Sequence, residues 1–363
     1  QTSMTKISTL VGASAKDLKE YEAGIMSLSE RVGVSAAQLA DGLFFITSAG
    51  FHGKQGLDAL EVSAKAAAMG MGEMSSIANA LTSIMTAYEK ENMTAAKAGD
   101  LLHETLKQGK FEAAQFMEKL GNVIPVAAGA GVSMEELGAA SATMSKLSGD
   151  AAGTLTAMRS LMMSLQKPSA QQEAILKKLT MTTADLSAMM SESLMGTLEF
   201  LFDKLGDNNQ ELLTMFGSSK AVVGALSTMG LQSETYAEVL DGMHNSLGNV
   251  NNGFDTLSGT AGFKFNQTLV KLQNVGIEIG NILLPIVLDL ADSFKGLLDD
   301  FKNLSPEAKN LSVTVAILAA ALGPLLVIMG SLVTVVTAIS IKFVAIALAV
   351  AALATGILFV VDN

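Results

Sequence analysis

Side chains that could perform chemistry are few in this sequence and widely separated. The histidines His52, His103 and His244 form no metal-binding spacing such as H-E-x-x-H. The carboxylate pairs Glu135–Glu136 and Asp299–Asp300 are adjacent in sequence. Because neighbouring residues of a helix do not face each other, both pairs are predicted to be solvated surface. We therefore predict no catalytic residue, no metal site and no bound cofactor.

Whole-chain properties point the same way. The sequence contains neither a G-x-x-x-x-G-K-[ST] phosphate loop nor a G-x-S-x-G elbow, and the absence of cysteine rules out disulfides and thiolate metal sites. A net charge of −11 and the lack of a basic cluster interleaved with aromatic residues argue against specific nucleic-acid binding. A cell-wall enzyme would need clustered acidic residues or histidines, which are missing. A non-enzymatic protein is expected.

Apolar residues recur at helical spacing along most of the chain. Leu57, Leu60, Ala64, Ala67 and Met71 share one face of a predicted helix, and Glu61 precedes Lys65 by four residues, a favourable ion-pair spacing. Nothing before Val313 alternates with period two. The other predicted helical segments are Asn79–Tyr88, Ala95–Gln108, Glu112–Leu120, Met134–Leu147, Thr154–Gln166, Ser169–Leu179 and Leu194–Leu205. The predicted fold class is all-α, with amphipathic helices in bundles or in an extended array.

One short pattern occurs twice. Gly33–Gly50 and Gly131–Gly149 both open with Gly-Val-Ser, followed three residues after the serine by Gln38 or Glu136. This is the pattern of a capping box, in which the serine hydroxyl and the Gln or Glu side chain satisfy each other's backbone amides. Two independently capped helices and an ancestral duplication both explain the repetition.

Methionine is unusually frequent, with 21 residues. The densest groups are Met69–Met74 and Met158–Leu165. Since methionine adapts to irregular surfaces, these groups are predicted either to fill the core beside small alanine-rich helices or to bind a partner.

The predicted organisation has five parts. Residues 1–168 form a helical region with the two capped helices, residues 169–247 a second helical region, residues 248–262 a loop-like linker, residues 263–309 amphipathic helices, and residues 310–363 an apolar segment. Lys264–Leu284 is predicted to be a helix that Pro285 interrupts. Ile286–Phe301 then forms a second helix or a kinked extension.

The apolar segment is the most informative part of the sequence. Ser305 and Pro306 favour a helix start, and from Asn310 through Ile341 no residue is charged, which is long enough to cross a bilayer. Phe343–Val361 is a second uncharged stretch. A transmembrane-like helical hairpin is expected, although burial inside a protein assembly and β-strands remain open. The membrane or assembly residues are predicted to be Leu311, Val315, Leu318, Leu322, Gly323, Pro324, Leu325, Leu326, Ile341, Lys342, Phe343, Ile346, Val350 and Phe359.

Several segments together resemble one protein family. "LLPIVLDLADSFKGLLDDFKNLSPEAKNLSVTVAILAAALGPLLVIMG" (Leu283–Gly330) is similar to the signature region of bacteriophage tail tape measure proteins. "GVSAAQLADGLFFITSAGF", "ALTSIMTAY", "TAMRSLMMSLQKPS" and "MFGSSKAVVGALSTM" follow in that family's order. The chain lacks the very long coiled coil of a complete ruler, so it is expected to be a conserved segment of a longer protein.

The resemblance implies a function. Such a protein occupies the lumen of the tail tube in the virion, templates tube length, and on ejection helps DNA to pass the host membrane. The implied partners are the tail tube protein, tail tip or hub proteins, tail assembly chaperones and the host membrane, and a homo-oligomer is expected. A pore-forming helical toxin with a stored hydrophobic hairpin is the alternative interpretation.

Overall fold

A computed structural model describes residues 2–148, 150–206, 208–216 and 233–302 of the chain, and the regular structure in these ranges is helical throughout. The all-α prediction is confirmed. The helices are α1 (Thr2–Lys6), α2 (Ala15–Val32), α3 (Ala36–Ser48), α4 (Gly53–Ala68), α5 (Met74–Ala87), α6 (Ala95–Gln108), α7 (Ala113–Leu120), α8 (Ile124–Gly129), α9 (Met134–Ser148), α10 (Ala151–Gln166), α11 (Ala170–Lys178), α12 (Thr183–Glu192), α13 (Leu194–Leu205), α14 (Asn209–Phe216), α15 (Ser233–His244), α16 (Asn249–Ser258) and α17 (Ala261–Lys302).

Cα distances divide the chain into two units, Gln1–Glu278 and Ile279–Asn363. In the first unit α3 packs on α4 and α5, while α6 and α15 pack on α9. Leu43, Leu60, Leu81 and Ile84 are fully buried between these helices. Burying one such side chain contributes about 1.5–3 kcal/mol, so the aliphatic core is the main source of stability.

Local signals set the helix ends. The Thr94 hydroxyl accepts the Lys97 amide proton at 3.2 Å, and α6 therefore begins at Ala95. The Ser193 hydroxyl does the same for Gly196 at 3.0 Å and starts α13 at Leu194. The bounds of both helices agree with the sequence prediction. In each helix the capping residue and the spacing of the apolar residues indicate the same starting position.

Two predictions near the end of the described chain need correction. Residues 248–262 are not a loop-like linker, because Asn249–Ser258 forms α16, with Val250 and Phe254 buried. Of the two alternatives beyond Pro285, a separate second helix is wrong, because Pro285 lies inside the single helix α17, which leaves the extension of the same helix. The division into five parts remains a prediction.

Most methionines of the two dense groups fill the core. Met71, Met74, Met158 and Met162 are at most 5% exposed. Of the other two, Met69 is half-buried and Met163 is 45% exposed. The core-filling interpretation is confirmed for the four buried side chains.

Candidate functional site

The first Gly-Val-Ser turn joins α2 to α3 and forms the base of the candidate site. Gly33 ends α2 with φ +66°, in the left-handed region that favours glycine. The Ser29 hydroxyl donates a buried 2.7 Å hydrogen bond to the Val34 carbonyl. Ser35 and Gln38 form the predicted capping box, with both backbone amides satisfied. The capping prediction is confirmed here, and the turn is held from both sides.

Helix α17 lies across this turn. Asn266 Nδ2 donates to the Gly33 carbonyl at 2.8 Å, and Gln267 Nε2 donates to the Arg31 carbonyl at 3.1 Å. Asn274, 1% exposed, donates to the Ser29 hydroxyl at 3.2 Å. The first turns of α17 are therefore attached by side-chain amides to the otherwise unpaired carbonyls at the end of α2.

Gly33 also lies close to side chains of α17. A Cβ at this position would lie 3.3 Å from Asn266 Nδ2 and 3.5 Å from the Phe263 ring. Phe263 and Val270 are buried on the same face of α17 as Asn274. The turn and the helix thus fit each other through a narrow contact that combines apolar packing with amide hydrogen bonds.

Two buried carboxylates hold the helix that precedes α17. Asp100 accepts the amide protons of Gly248 and Val250 at 2.7 and 2.8 Å, at the amino end of α16. Glu104 accepts from Asn249 Nδ2 at 2.8 Å. Both carboxylates are at most 3% exposed. A negative charge is favourable at a helix amino end, so α6 fixes where α16 begins.

An ion-pair group on α4 connects α2 to α16. Glu61 lies 3.2 Å from Arg31 Nη2 and 2.9 Å from Lys65 Nζ, which also donates to Asn251 at 2.8 Å. Burial opposes ionisation of Glu61, but its hydrogen bonds to Arg31 and Lys65 outweigh burial and lower its pKa. The predicted Glu61–Lys65 pair is confirmed.

The three histidines belong to separate elements. His52 precedes α4, His103 lies in α6 and His244 ends α15. Burial lowers the pKa of His103. Across the residues that the structure describes, no group of three or more His, Asp or Glu side chains could hold a metal ion.

The outward face of α17 in the first unit is apolar. Phe265, Leu269, Leu272 and Val275 are 40–68% exposed. Beside them lies an open groove of about 780 Å³, lined by residues that include Gly33, Ala68, Gly70 and Met74. Exposed apolar surface of this kind marks an interaction site in a native protein.

The described part of the second unit is the rest of α17. Its side chains Ile279, Ile282, Leu283, Leu284, Ile286, Val287 and Leu288 are 38–61% exposed. By length and composition alone, one helical stretch among the described residues, Ala261–Asp289, could cross a membrane. The predicted membrane or assembly residues, from Leu311 to Phe359, and the predicted hairpin lie outside the described residues.

The second Gly-Val-Ser turn corrects two predictions. Ser133 accepts the Glu136 amide proton at 3.2 Å, but the Glu136 carboxylate accepts from the Leu194 amide at 3.0 Å instead of closing its own box. Glu136 is 8% exposed, so the prediction of a solvated pair is wrong for this residue. Burial raises its pKa. Its neighbour Glu135 pairs with Lys97 at 2.8 Å.

Sequence reasoning missed the residues that position α17. Asn274, Ser29, Asp100 and Glu104 were not singled out. One signal was available, since Asp100 and Glu104 are four residues apart on the face of α6 that also carries the apolar Leu101. A charged pair beside core residues predicts a buried polar contact.

Comparison with known proteins identifies a family for the chain. A family model described as phage-related minor tail protein matches residues 22–218. The chain is 23% identical over 289 residues to the "Probable tape measure protein" of Clostridium phage phiCD119, covering 77% of this chain and 31% of that relative. It is 24% identical over 291 residues to the "Tape measure protein" of Pneumococcus phage Dp-1, covering 78% and 25%. The chain thus spans a third or less of these relatives. No solved structure matches it.

Proposed function

This chain belongs to the family of phage-related minor tail proteins, and from that premise we propose that it is a segment of a tail tape measure protein. It occupies the lumen of the tail tube, templates the length of the tube during assembly and self-associates there. It does no enzymatic chemistry. Its partners are the tail tube protein, the tip or hub proteins and the tail assembly chaperones.

The observation that carries this proposal is the extent of the two relatives' similarity. The alignments cover 77% and 78% of this chain, but only 31% and 25% of the relatives. That relation is expected of a conserved part of a long ruler. Both relatives are named tape measure proteins, which favours the tail role over a pore-forming helical toxin.

Helix geometry supplies the ruler mechanism. An α-helix advances about 1.5 Å per residue, so the number of residues converts directly into a distance. An in-frame deletion in the full-length protein, placed outside this segment, is expected to shorten the tail by about 1.5 Å for each residue removed. Tail lengths measured by electron microscopy test this. A matched control carries point substitutions at the same place; unchanged length after deletion contradicts the proposal.

We further propose that the apolar segment 310–363 contacts the host membrane on ejection. The uncharged sequence from Asn310 to Ile341 supports this, because a charged residue at the centre of a bilayer costs about 2.5–3.5 kcal/mol. Lys342 then lies at a membrane surface, where its long side chain reaches the headgroups.

The membrane proposal is tested on liposomes. Leu322→Lys is expected to abolish protease protection of residues 311–361, because it puts one charge into the uncharged run. Leu269→Lys makes the same chemical change on the exposed face of α17 and serves as the matched control. Equal loss of protection in both variants, or no protection of the unmodified chain, contradicts the assignment to this segment.

A further inference from the structure

We propose that the attached part of α17, residues 261–278, is a fastening that a pull on this helix opens, while α16 stays bound and acts as an anchor. Helix α17 is continuous from Ala261 to Lys302, and it belongs to the first unit up to Glu278 and to the second unit beyond it. A pull on the second unit therefore reaches the fastening through the helix. The inference rests on the proposed tail role only for the source of the pull, which is displacement of the chain when the tail empties.

The hydrogen bonds of the fastening are neutral. They come from the side-chain amides of Asn266, Gln267 and Asn274. The bond from Asn266 is half-buried and that from Gln267 is exposed, so water can replace both partners when these bonds open. Among residues 261–278 the buried apolar side chains are Phe263 and Val270. The fastening thus combines weak polar contacts with a small apolar contact.

The anchor is held by charged groups. Asp100 accepts the amide protons of Gly248 and Val250 at 2.7 and 2.8 Å, and Glu104 accepts from Asn249 at 2.8 Å. Hydrogen bonds to an ionised group are roughly twice as strong as neutral ones. Opening them would also leave two buried carboxylates with fewer partners, which is unfavourable. We therefore expect α16 to remain bound under a pull that opens the fastening.

A second helix strengthens the anchor. From α4, Lys65 Nζ donates to Asn251 at 2.8 Å and lies 5.8 Å from the centre of the Phe254 ring. The rings of Phe254 and Phe263 meet edge to face, with their centres 5.5 Å apart. This ring pair joins the anchor to the fastening. Residues 259–260 connect the two helices, so the chain can bend there when the fastening opens.

The contacts of the fastening follow one another along α17, so they are loaded in sequence. Asn274 is the nearest to the second unit, and its buried bond to Ser29 is the first to resist the pull. Val270, Asn266 and Phe263 follow towards the amino end. The anchor is loaded last. A pull is therefore expected to free α17 while α1 to α16 remain folded.

Single-molecule stretching of the full chain tests this order. The chain has no cysteine, so Gln55→Cys on α4 and Glu278→Cys on α17, both exposed, attach one handle on each side of the fastening. The first opening event is expected to lengthen the chain by at most about 65 Å, because an extended residue spans at most about 3.6 Å. A second event at higher force is expected when α16 leaves, for a total of about 110 Å.

Substitutions assign each event to its contacts. Asn274→Ala is expected to raise the opening rate of the first event about fivefold at a given force and to leave the second event unchanged. Gln267→Ala removes the exposed bond and is expected to raise the same rate about twofold. Gln273→Ala removes an exposed amide beside Asn274 and is the matched control. Asn249→Ala, which removes the bond to Glu104, is expected to accelerate only the second event.

The outcomes separate the parts of the proposal. A single first event of about 110 Å means that α16 leaves together with α17, and it overturns the anchor. A first event on the order of several hundred ångströms means that the first unit unfolds before the fastening opens, and it overturns the proposal as a whole. Equal opening rates for Asn274→Ala and Gln273→Ala overturn it too, provided that circular dichroism shows both variants to be folded. Tail length measures the ruler role separately, so either proposal can fail alone.

Discussion

The two Gly-Val-Ser turns use the same three residues to hold different segments of the chain. Gly33 and Gly131 both adopt positive φ, +66° and +77°. In each turn the valine carbonyl accepts a buried hydroxyl, from Ser29 at Val34 and from Tyr88 at Val132. Beyond this shared geometry the turns differ in what they contact.

The two turns differ in what lies against the glycine, which is side chains at Gly33 and the backbone of Ser191 with its Cβ at Gly131. Asn266 and Asn274 reach the first turn from an exposed helix. At the second turn the backbone of Ser191 lies against Gly131, and Glu136 binds the amide of Leu194. Side chains can move aside more easily than backbone. The first turn is therefore expected to tolerate change better than the second.

The largest expected difference is between the two glycines. A Cβ on Gly131 would lie 2.6 Å from Ser191 Cβ and 3.1 Å from its Cα. Gly131→Ala is expected to cost about 3 kcal/mol of unfolding free energy, from left-handed strain plus overpacking. Gly33→Ala is expected to cost about 1–2 kcal/mol, because the Asn266 amide can shift. Urea unfolding measures both.

Gly12 isolates the backbone contribution. It has φ +75° and nothing within 4 Å of a Cβ, so Gly12→Ala reports strain alone, about 1 kcal/mol. Equal costs at Gly131 and Gly12 would mean that contact with Ser191 is unimportant, and the distinction between the two turns would be lost.

The next difference concerns the residue three positions after the serine of each pattern, Gln38 or Glu136. Glu136→Ala leaves the buried Leu194 amide without an acceptor and is expected to cost about 2 kcal/mol. Gln38→Ala opens an exposed capping box and is expected to cost about 0.5 kcal/mol. Comparable values in denaturant titrations would contradict the tertiary role of Glu136.

A smaller effect is expected where α17 is attached to the first turn. Asn274→Ala leaves the buried Ser29 hydroxyl with one partner fewer, and it is expected to destabilise this attachment by about 1 kcal/mol. Amide hydrogen exchange over residues 263–278 is then expected to accelerate about fivefold, while the core helices are unaffected. Gln273→Ala, exposed on the same helix, is the control. Acceleration throughout the first unit would mean that α17 is not a separately detachable element.

Local patterns were sufficient for the parts of the fold that depend on neighbours in sequence. The bounds of α6 and α13 and the Ser35–Gln38 box follow from caps and apolar period. The prediction of a linker at residues 248–262 was wrong. It rested on the low helix propensity of Gly and Asn residues, whereas α16 forms because the carboxylate of Asp100, distant in sequence, accepts hydrogen bonds at its amino end.

The candidate site depended on contacts that sequence spacing cannot encode. Glu136 satisfies the capping pattern, yet its carboxylate binds Leu194, 58 residues away. Ser29 and Asn274 are 245 residues apart and were not paired by any local pattern. Such polar contacts depend on the tertiary arrangement, which a periodicity argument cannot supply.

The smallest expected effect is a pH dependence that only the second turn has. Burial raises the pKa of Glu136 above its ordinary 4.5, so the folded state holds a proton that the unfolded state has already released. The stability contributed by protonated Glu136 is full below pH 4.5 and is lost as the pH rises through the folded-state pKa. Glu136→Gln stays neutral and keeps an acceptor for Leu194. The unfolding free energy of the unmodified chain relative to this variant is therefore expected to fall with rising pH, by at most about 1.4 kcal/mol per pH unit. The unfolding free energy of the unmodified chain relative to Gln38→Ala is expected not to change with pH. A pH dependence for Gln38→Ala, or no pH dependence for Glu136→Gln, would contradict the assignment of a buried carboxyl to the second turn alone.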